Sequence, residues 1–300
     1  MTFAILTAIL FAGSAICNTR ISSLLDTIAA NLGRLLIAVV ALGILTFVLD
    51  PNSFHPSGCL WLLLSGFVGF GIGDIALFSA FLRIGSRVTV LVNFCLGTII
   101  GAVGDTLLLG DHVSFPEWGA IAIIFAGLAL ALLAQKRKGA RHGSLAAGFA
   151  AAIIGAFGQG LGATLSRKAE YVAMADDVAI GGISAAFQRV LAGVACLLIV
   201  YFWRRARGNL AKPKVPAKRY MPWLICAAMF GPVLGVSCFQ QALSVVGNSG
   251  IVMAVVATSP LLLIPLAYVF EGDKPTRLSI VGALVGVAGV IVLGAIRIAL

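Results

Sequence analysis

The sequence predicts an all-α polytopic membrane protein, with ten transmembrane helices arranged as two inverted five-helix repeats. Three observations predict it. Apolar residues make up 60% of the 300 and charged residues only 11%, with a mean hydropathy of +1.08; a soluble domain carries about 25% charged residues. Ten apolar stretches run through the whole chain, each near the ~20 residues of helix that cross a ~30 Å hydrocarbon core. The second half repeats the first at a fixed offset.

The expected spans are 2–18, 28–49, 59–81, 87–109 and 116–134 in the first half, then 144–165, 179–202, 221–243, 248–270 and 277–297. The first resembles the apolar core of a signal peptide, but no Lys or Arg precedes it and no A-x-A site follows, so it reads as a retained span. The second ends at a turn region, Asp50-Pro51-Asn52-Ser53 and His55-Pro56-Ser57-Gly58. Glycines Gly66, Gly69, Gly71 and Gly73 in the third span and Gly97, Gly101 and Gly104 in the fourth allow close helix approach. Before the fifth, Ser114-Phe115-Pro116-Glu117 reads as a capping box, the glutamate reaching back to the helix start. In the ninth, Pro260 and Pro265 loosen the backbone. Trp61, Trp118, Trp203 and Trp223 all fall near span ends, where an indole sits half in headgroups and half in hydrocarbon.

Residues 69–133 align with 231–295 at an offset of 162 without gaps, with nine identities in 65 positions. The pattern G-D-x-x-[ST] decides the match: Gly110-Asp111-His112-Val113-Ser114 against Gly272-Asp273-Lys274-Pro275-Thr276. Both copies fall between the fourth and fifth span of their half, where they are expected to stop one helix and start the next. The repeats are 1–135 and 143–298, joined by a basic linker at 136–142. Five spans per repeat is an odd number, which turns the two copies in opposite directions. Inverted repeats with a site at their seam are the architecture of secondary transporters.

The net charge of +10 is concentrated in short connections, 136–141 and 204–219, as in membrane proteins generally, so no nucleic-acid partner is expected. Connections after odd-numbered spans hold 16 Lys and Arg and the opposite side holds 3, which places both termini outside. The six cysteines form no C-x-x-C pair, lie mostly in apolar runs and read as packing residues. His55, His112 and His142 all fall in loops, and no H-E-x-x-H, G-x-S-x-G or P-loop occurs. An enzyme is therefore not expected, nor a cofactor or a metal.

Ala80 through Ser86, Leu109-Gly110-Asp111 and Gly119 through Gly127, then Ala242 through Gly247, Ser259-Pro260, Gly272-Asp273 and Gly282 through Gly289, form a recognisable set. In these residues the chain resembles the drug/metabolite transporter superfamily, specifically its EamA-type ten-span members. Arg34 and Arg189 match the family's arginine in the second helix of each half. The chain departs from the pattern in two ways: Asp111 and Asp273 stand where the family usually has Glu, and Gly97-Thr98 where it has a proline. The resemblance implies a cavity lined by spans 1–4 and 6–9, spans 5 and 10 at the periphery, and cytoplasmic termini, against the charge count.

A charged residue at the centre of a membrane helix costs roughly 2.5–3.5 kcal/mol and normally faces a wet interior. Asp74, mid-way along the third span, is the sharpest candidate: it binds a cationic group, takes a proton during transport, or forms an ion pair with Arg34 or Arg189. The two arginines are candidates for an anion clamp or for packing. Asp105 lies near the end of the fourth span and is expected to reach water. Among neutral groups, Asn93, Gln159 and Gln240 lead, with Gln188 and Gln241 behind, either as solute ligands or as polar glue between helices. The expectation is a secondary transporter in the cytoplasmic membrane. It moves a small metabolite or drug-like solute by alternating access, driven by a gradient or by exchange. The alternatives are a lipid-linked sugar flippase and a non-transporting structural or receptor subunit.

Overall fold

A computed structural model describes residues 1–49, 54, 56–133, 144–264 and 276–299. Among these every regular element is helical. Seven helices are long and apolar enough to cross a membrane: α1 (Thr2–Leu24), α2 (Thr27–Leu49), α3 (Pro56–Ser86), α4 (Val88–Leu109), α6 (Leu145–Met174), α7 (Gly182–Ala206) and α8 (Ala217–Val246). Three more apolar helices complete the set: α5 (Phe115–Leu133), α9 (Ser249–Ile264) and α10 (Arg277–Ala299). In hydrocarbon a helix satisfies its backbone groups internally. The large side chains left on the outside are accordingly apolar, Val40, Ile44, Phe47 and Val48 on α2 and Ile199 and Phe202 on α7 among them.

Helix ends follow local chemistry. Asp26 accepts the Ile28 N–H (3.0 Å) at the start of α2, and Asn248 accepts the Ile251 N–H (3.1 Å) at the start of α9. Gly110 closes α4 in the left-handed region at φ 75°, which glycine adopts without a Cβ penalty. The Glu117 reach-back expected before α5 is present, its carboxylate accepting from both the Ser114 N–H (2.7 Å) and the Ser114 hydroxyl (2.8 Å). The second G-D-x-x-[ST] copy falls at 272–276, of which only Thr276 is described; the 136–142 linker and Pro265 also lie outside the described residues.

The offset of 162 recurs in the backbone. A π-helical segment interrupts α3 at Phe67–Gly73, and another interrupts α8 at Met229–Val233, starting 162 residues later. Pro232 supplies the cause in the second, since it donates no N–H to the ladder; in the first the glycine-rich run lowers the resistance to widening. Gly85 (φ 79°) breaks the chain between α3 and α4, and Gly247 (φ 66°) does so between α8 and α9, again 162 apart.

Packing has the same regularity. α2 lies on α7, α4 on α9 and α5 on α10; α3 touches α6 and α7 where α8 touches α1 and α2; α4 touches α6 where α9 touches α1. Small residues make these crossings close. A Cβ on Gly66 of α3 would stand 2.0 Å from the Arg189 carbonyl oxygen on α7, and one on Gly127 of α5 would stand 2.3 Å from the Gly286 nitrogen on α10. α5 and α10 pack chiefly on each other.

Two helices run further than hydropathy indicates. α1 continues past 18 to Leu24 because Asn18, Thr19 and Ser22 turn inward and are buried. α6 continues past 165 to Met174 because Arg167 pairs within the protein rather than with water.

Candidate functional site

The centre of the bundle holds a cavity of about 60 Å³, lined from α1, α2, α3, α4, α6, α7 and α8. Five of the six leading candidates meet there: Asp74, Arg34, Arg189, Asn93 and Gln159. Gln240, the sixth, is buried on α8 outside the lining, so it does not share the cavity. Gln188 donates to the Ser184 hydroxyl (3.1 Å) on its own helix, and Gln241 accepts the Gly182 N–H (3.3 Å), both bonds of the polar-glue kind.

α2 delivers Arg34 and the first turn after the π segment delivers Asp74. The Arg34 Nη2 donates to Asp74 Oδ2 and to Asn31 Oδ1 (2.9 Å). The guanidinium also lies over the Phe78 ring, 4.9 Å from its centroid. Of the roles the sequence offered Asp74, the ion pair with Arg34 is the one formed here. α7 delivers Arg189, which is 2% exposed and lies 5.3 Å from the Phe70 ring centroid. Asp74 attracts it as well.

The π segments hold the two guanidinium groups. A Cβ on Gly231 would stand 3.2 Å from Arg34 Nη1, and a Cβ on Gly69 would stand 3.1 Å from Arg189 Nη2. Gly69 and Gly231 are 162 positions apart, and each faces the arginine of the opposite half. The carboxylate has no counterpart: the position equivalent to Asp74 is Val236, an apolar member of the same lining.

Sequence reading missed the contribution of α1. Ser14 and Asn18 line the cavity one helical turn apart, with the Asn18 amide donating to the Ser14 hydroxyl (3.2 Å). Their i, i+4 spacing in an apolar run was the available signal. Phe11 and Phe94 stack at 5.7 Å and close the apolar wall.

Each end of the bundle has a polar tie between the two halves. At one end Asp105 accepts from Arg167 Nη1 (2.8 Å) and from the Ser249 N–H (2.5 Å), joining α4 to α6 and α9. The expectation that Asp105 reaches water is therefore corrected: it is fully buried, because the α9 N-terminus and Arg167 replace water as its donors. Arg167 also pairs with Asp111 (2.6 Å). At the other end Arg204 pairs with Asp26 (3.1 Å), and Lys214 donates to the Ser23 carbonyl (3.0 Å).

Comparison with known proteins was made against this geometry. A family model described as the EamA-like transporter family matches residues 1–133 and 146–295. The chain belongs to the EamA-like transporter family. A crystal structure of a protein 15% identical in sequence has the same fold, with a TM-score of 0.74 over 98% of this chain and 96% of that one. No curated protein matches. The resemblance read from the motifs thus holds, and this EamA-like protein is a multi-pass membrane protein of the drug/metabolite transporter superfamily.

The family match also divides the chain into two parts that bracket the basic connection. In this EamA-like chain the cavity draws on both parts, Arg34 and Asp74 coming from the first and Gln159 and Arg189 from the second.

Proposed function

We propose that the protein is a secondary transporter that carries a small solute across the cytoplasmic membrane by alternating access. Ten spans form two inverted repeats, 1–135 and 143–298, joined by the linker 136–142. The observation that carries this reading is the charged cavity at the seam of the two family-matched parts. A buried cluster of Arg34, Asp74 and Arg189 is costly in a membrane bundle unless it serves a function there. The 162-residue spacing of both the π segments and the positive-φ glycines supports the two-repeat reading. The basic connections support both termini lying outside.

As it stands the cavity is about 60 Å³, whereas ligand pockets are on the order of 300–1,000 Å³. Solute entry therefore requires the halves to part. The polar ties at Asp105–Arg167 and Asp26–Arg204 are the contacts that break in turn as one end opens and then the other. Asp74 couples transport to protons on this reading: protonation removes its charge and releases Arg34.

The test is uptake by the purified full chain in proteoliposomes, with labelled amino acids, nucleosides, sugars and organic acids offered against the same solute inside. Exchange above that of empty vesicles supports the reading. Absence of flux with every class, or scrambling of a fluorescent lipid without solute flux, overturns it.

A further inference from the structure

The two halves bring two arginines to the cavity and only one carboxylate. Arg34 and Arg189 occupy matching places beside Gly231 and Gly69, but Asp74 is matched by Val236. The charged residues in the cavity lining are these three alone among the described residues, so its formal balance is one positive charge. That charge is localised. Arg34 is bonded to both Asp74 and Asn31, while Arg189 makes no side-chain hydrogen bond among the described residues; the Nε atoms of both arginines are buried without a partner. A guanidinium that lines a cavity, is 2% exposed and makes no hydrogen bond among the described residues is a donor suited to an acceptor brought by a solute.

We propose that the cavity takes a small monocarboxylate whose carboxylate seats on Arg189 and whose body lies against the phenylalanines. One negative charge brings the cavity to neutrality; a zwitterion leaves the excess in place, and a cation doubles it. A carboxylate also supplies what the guanidinium lacks, two acceptor oxygens in the plane of its donors. Phe11, Phe70, Phe81 and Phe94 line the same space and give an apolar body a wall, beside the neutral polar groups Ser14, Asn18, Asn93 and Gln159. This assignment rests on the carrier reading's opening of the two halves, by which the anion enters, but not on net transport.

The experiment compares four probes of one shape on the purified full chain in detergent: phenylacetate, phenylacetamide, phenethylamine and L-phenylalanine. Ligand-dependent thermal unfolding reads binding, and counterflow in proteoliposomes reads transport. Phenylacetate is expected to raise the unfolding temperature, with an apparent affinity on the order of tenfold or more above the amide, the cost of losing a charge-assisted bond. Arg189→Gln is expected to abolish that preference and Arg189→Lys to restore part of it. Equal binding of the acid and the amide by the unaltered protein, or preference for the amine or the amino acid, or no shift with phenylacetate, overturns the assignment whether or not the variants fold. The carrier reading is judged separately. Transport of phenethylamine or phenylalanine without phenylacetate removes the anion and keeps the carrier, whereas binding of phenylacetate without counterflow keeps the anion site and removes the carrier.

Discussion

Gly69 and Gly231 stand at the same point of two π-helical segments, and each lies against the guanidinium of an arginine from the other half of the chain. The absence of a Cβ gives Arg189 and Arg34 their place. Gly69→Ala puts a carbon 3.1 Å from Arg189 Nη2, close enough to push the flexible tip aside, and Gly231→Ala puts one 2.7 Å from the Ser14 hydroxyl and 3.2 Å from Arg34 Nη1. Each is expected to cost about 1–3 kcal/mol of stability, as overpacking does. Each should also lower exchange flux several-fold, read in proteoliposomes at matched protein content. Gly66→Ala meets the Arg189 backbone at 2.0 Å, which cannot swing away. It is expected to abolish the monodisperse peak in size-exclusion chromatography.

The Arg34–Asp74 pair predicts a double-mutant pattern. Removing one partner of a buried pair strands the other and costs roughly 3–5 kcal/mol. Asp74→Leu leaves two unopposed arginines and is expected to be the more damaging single change; Arg34→Met leaves Asp74 still near Arg189. The double variant is expected to recover part of the loss. Thermal unfolding of all four proteins in one detergent gives the coupling, and strictly additive losses would contradict it.

Coupling predicts a separate outcome at the same residue. Asp74→Asn keeps the shape and loses the titratable charge. Exchange of solute for solute is expected to continue, while accumulation driven by an imposed pH gradient stops. Undiminished accumulation by Asp74→Asn would end the proton-coupling proposal.

Asp105 and Asp111 share Arg167 but differ in surroundings, the first side chain fully buried and the second 40% exposed. Asp105→Ala removes a buried ion pair and the cap on the α9 N-terminus and is expected to cost about 2–5 kcal/mol. Asp111→Ala is expected to cost about 1 kcal/mol or less, because an exposed pair is screened by water. Unfolding temperatures of the two variants check the ordering.

α5 and α10 predict a stability effect without a specificity effect. Gly127→Val drives a side chain into the Gly286 backbone and is expected to lower the unfolding temperature. The protein that remains folded should keep the solute preference of the unaltered chain, since neither helix lines the cavity. A changed preference would place these helices in the site.

The fold was legible because the bilayer imposes a length and a polarity on every span, and because Gly110-Asp111 and its later copy announce the offset. In the structure the same offset also relates the two π segments and the two positive-φ glycines Gly85 and Gly247, which the sequence reading had not anticipated. The site was legible where charge is costly: Asp74, Arg34 and Arg189 have no cheap place in hydrocarbon other than an interior. Ser14 and Asn18 were not, because hydroxyl and amide groups are tolerated on many packed helix faces. Asp105 was misplaced because its donors, Arg167 and the Ser249 N–H, lie 62 and 144 residues away. Hydropathy sees only neighbours along the chain.

The narrowness of the central space sets how tightly any solute will seem to bind. On the proposed transport cycle, with ties at both ends of the bundle and a central cavity of about 60 Å³, the resting protein is not the form that accepts cargo. The work of parting the halves is then deducted from every measured affinity, about tenfold in apparent Kd for each 1.4 kcal/mol. Variants that weaken either tie without touching the lining will therefore look like better binders.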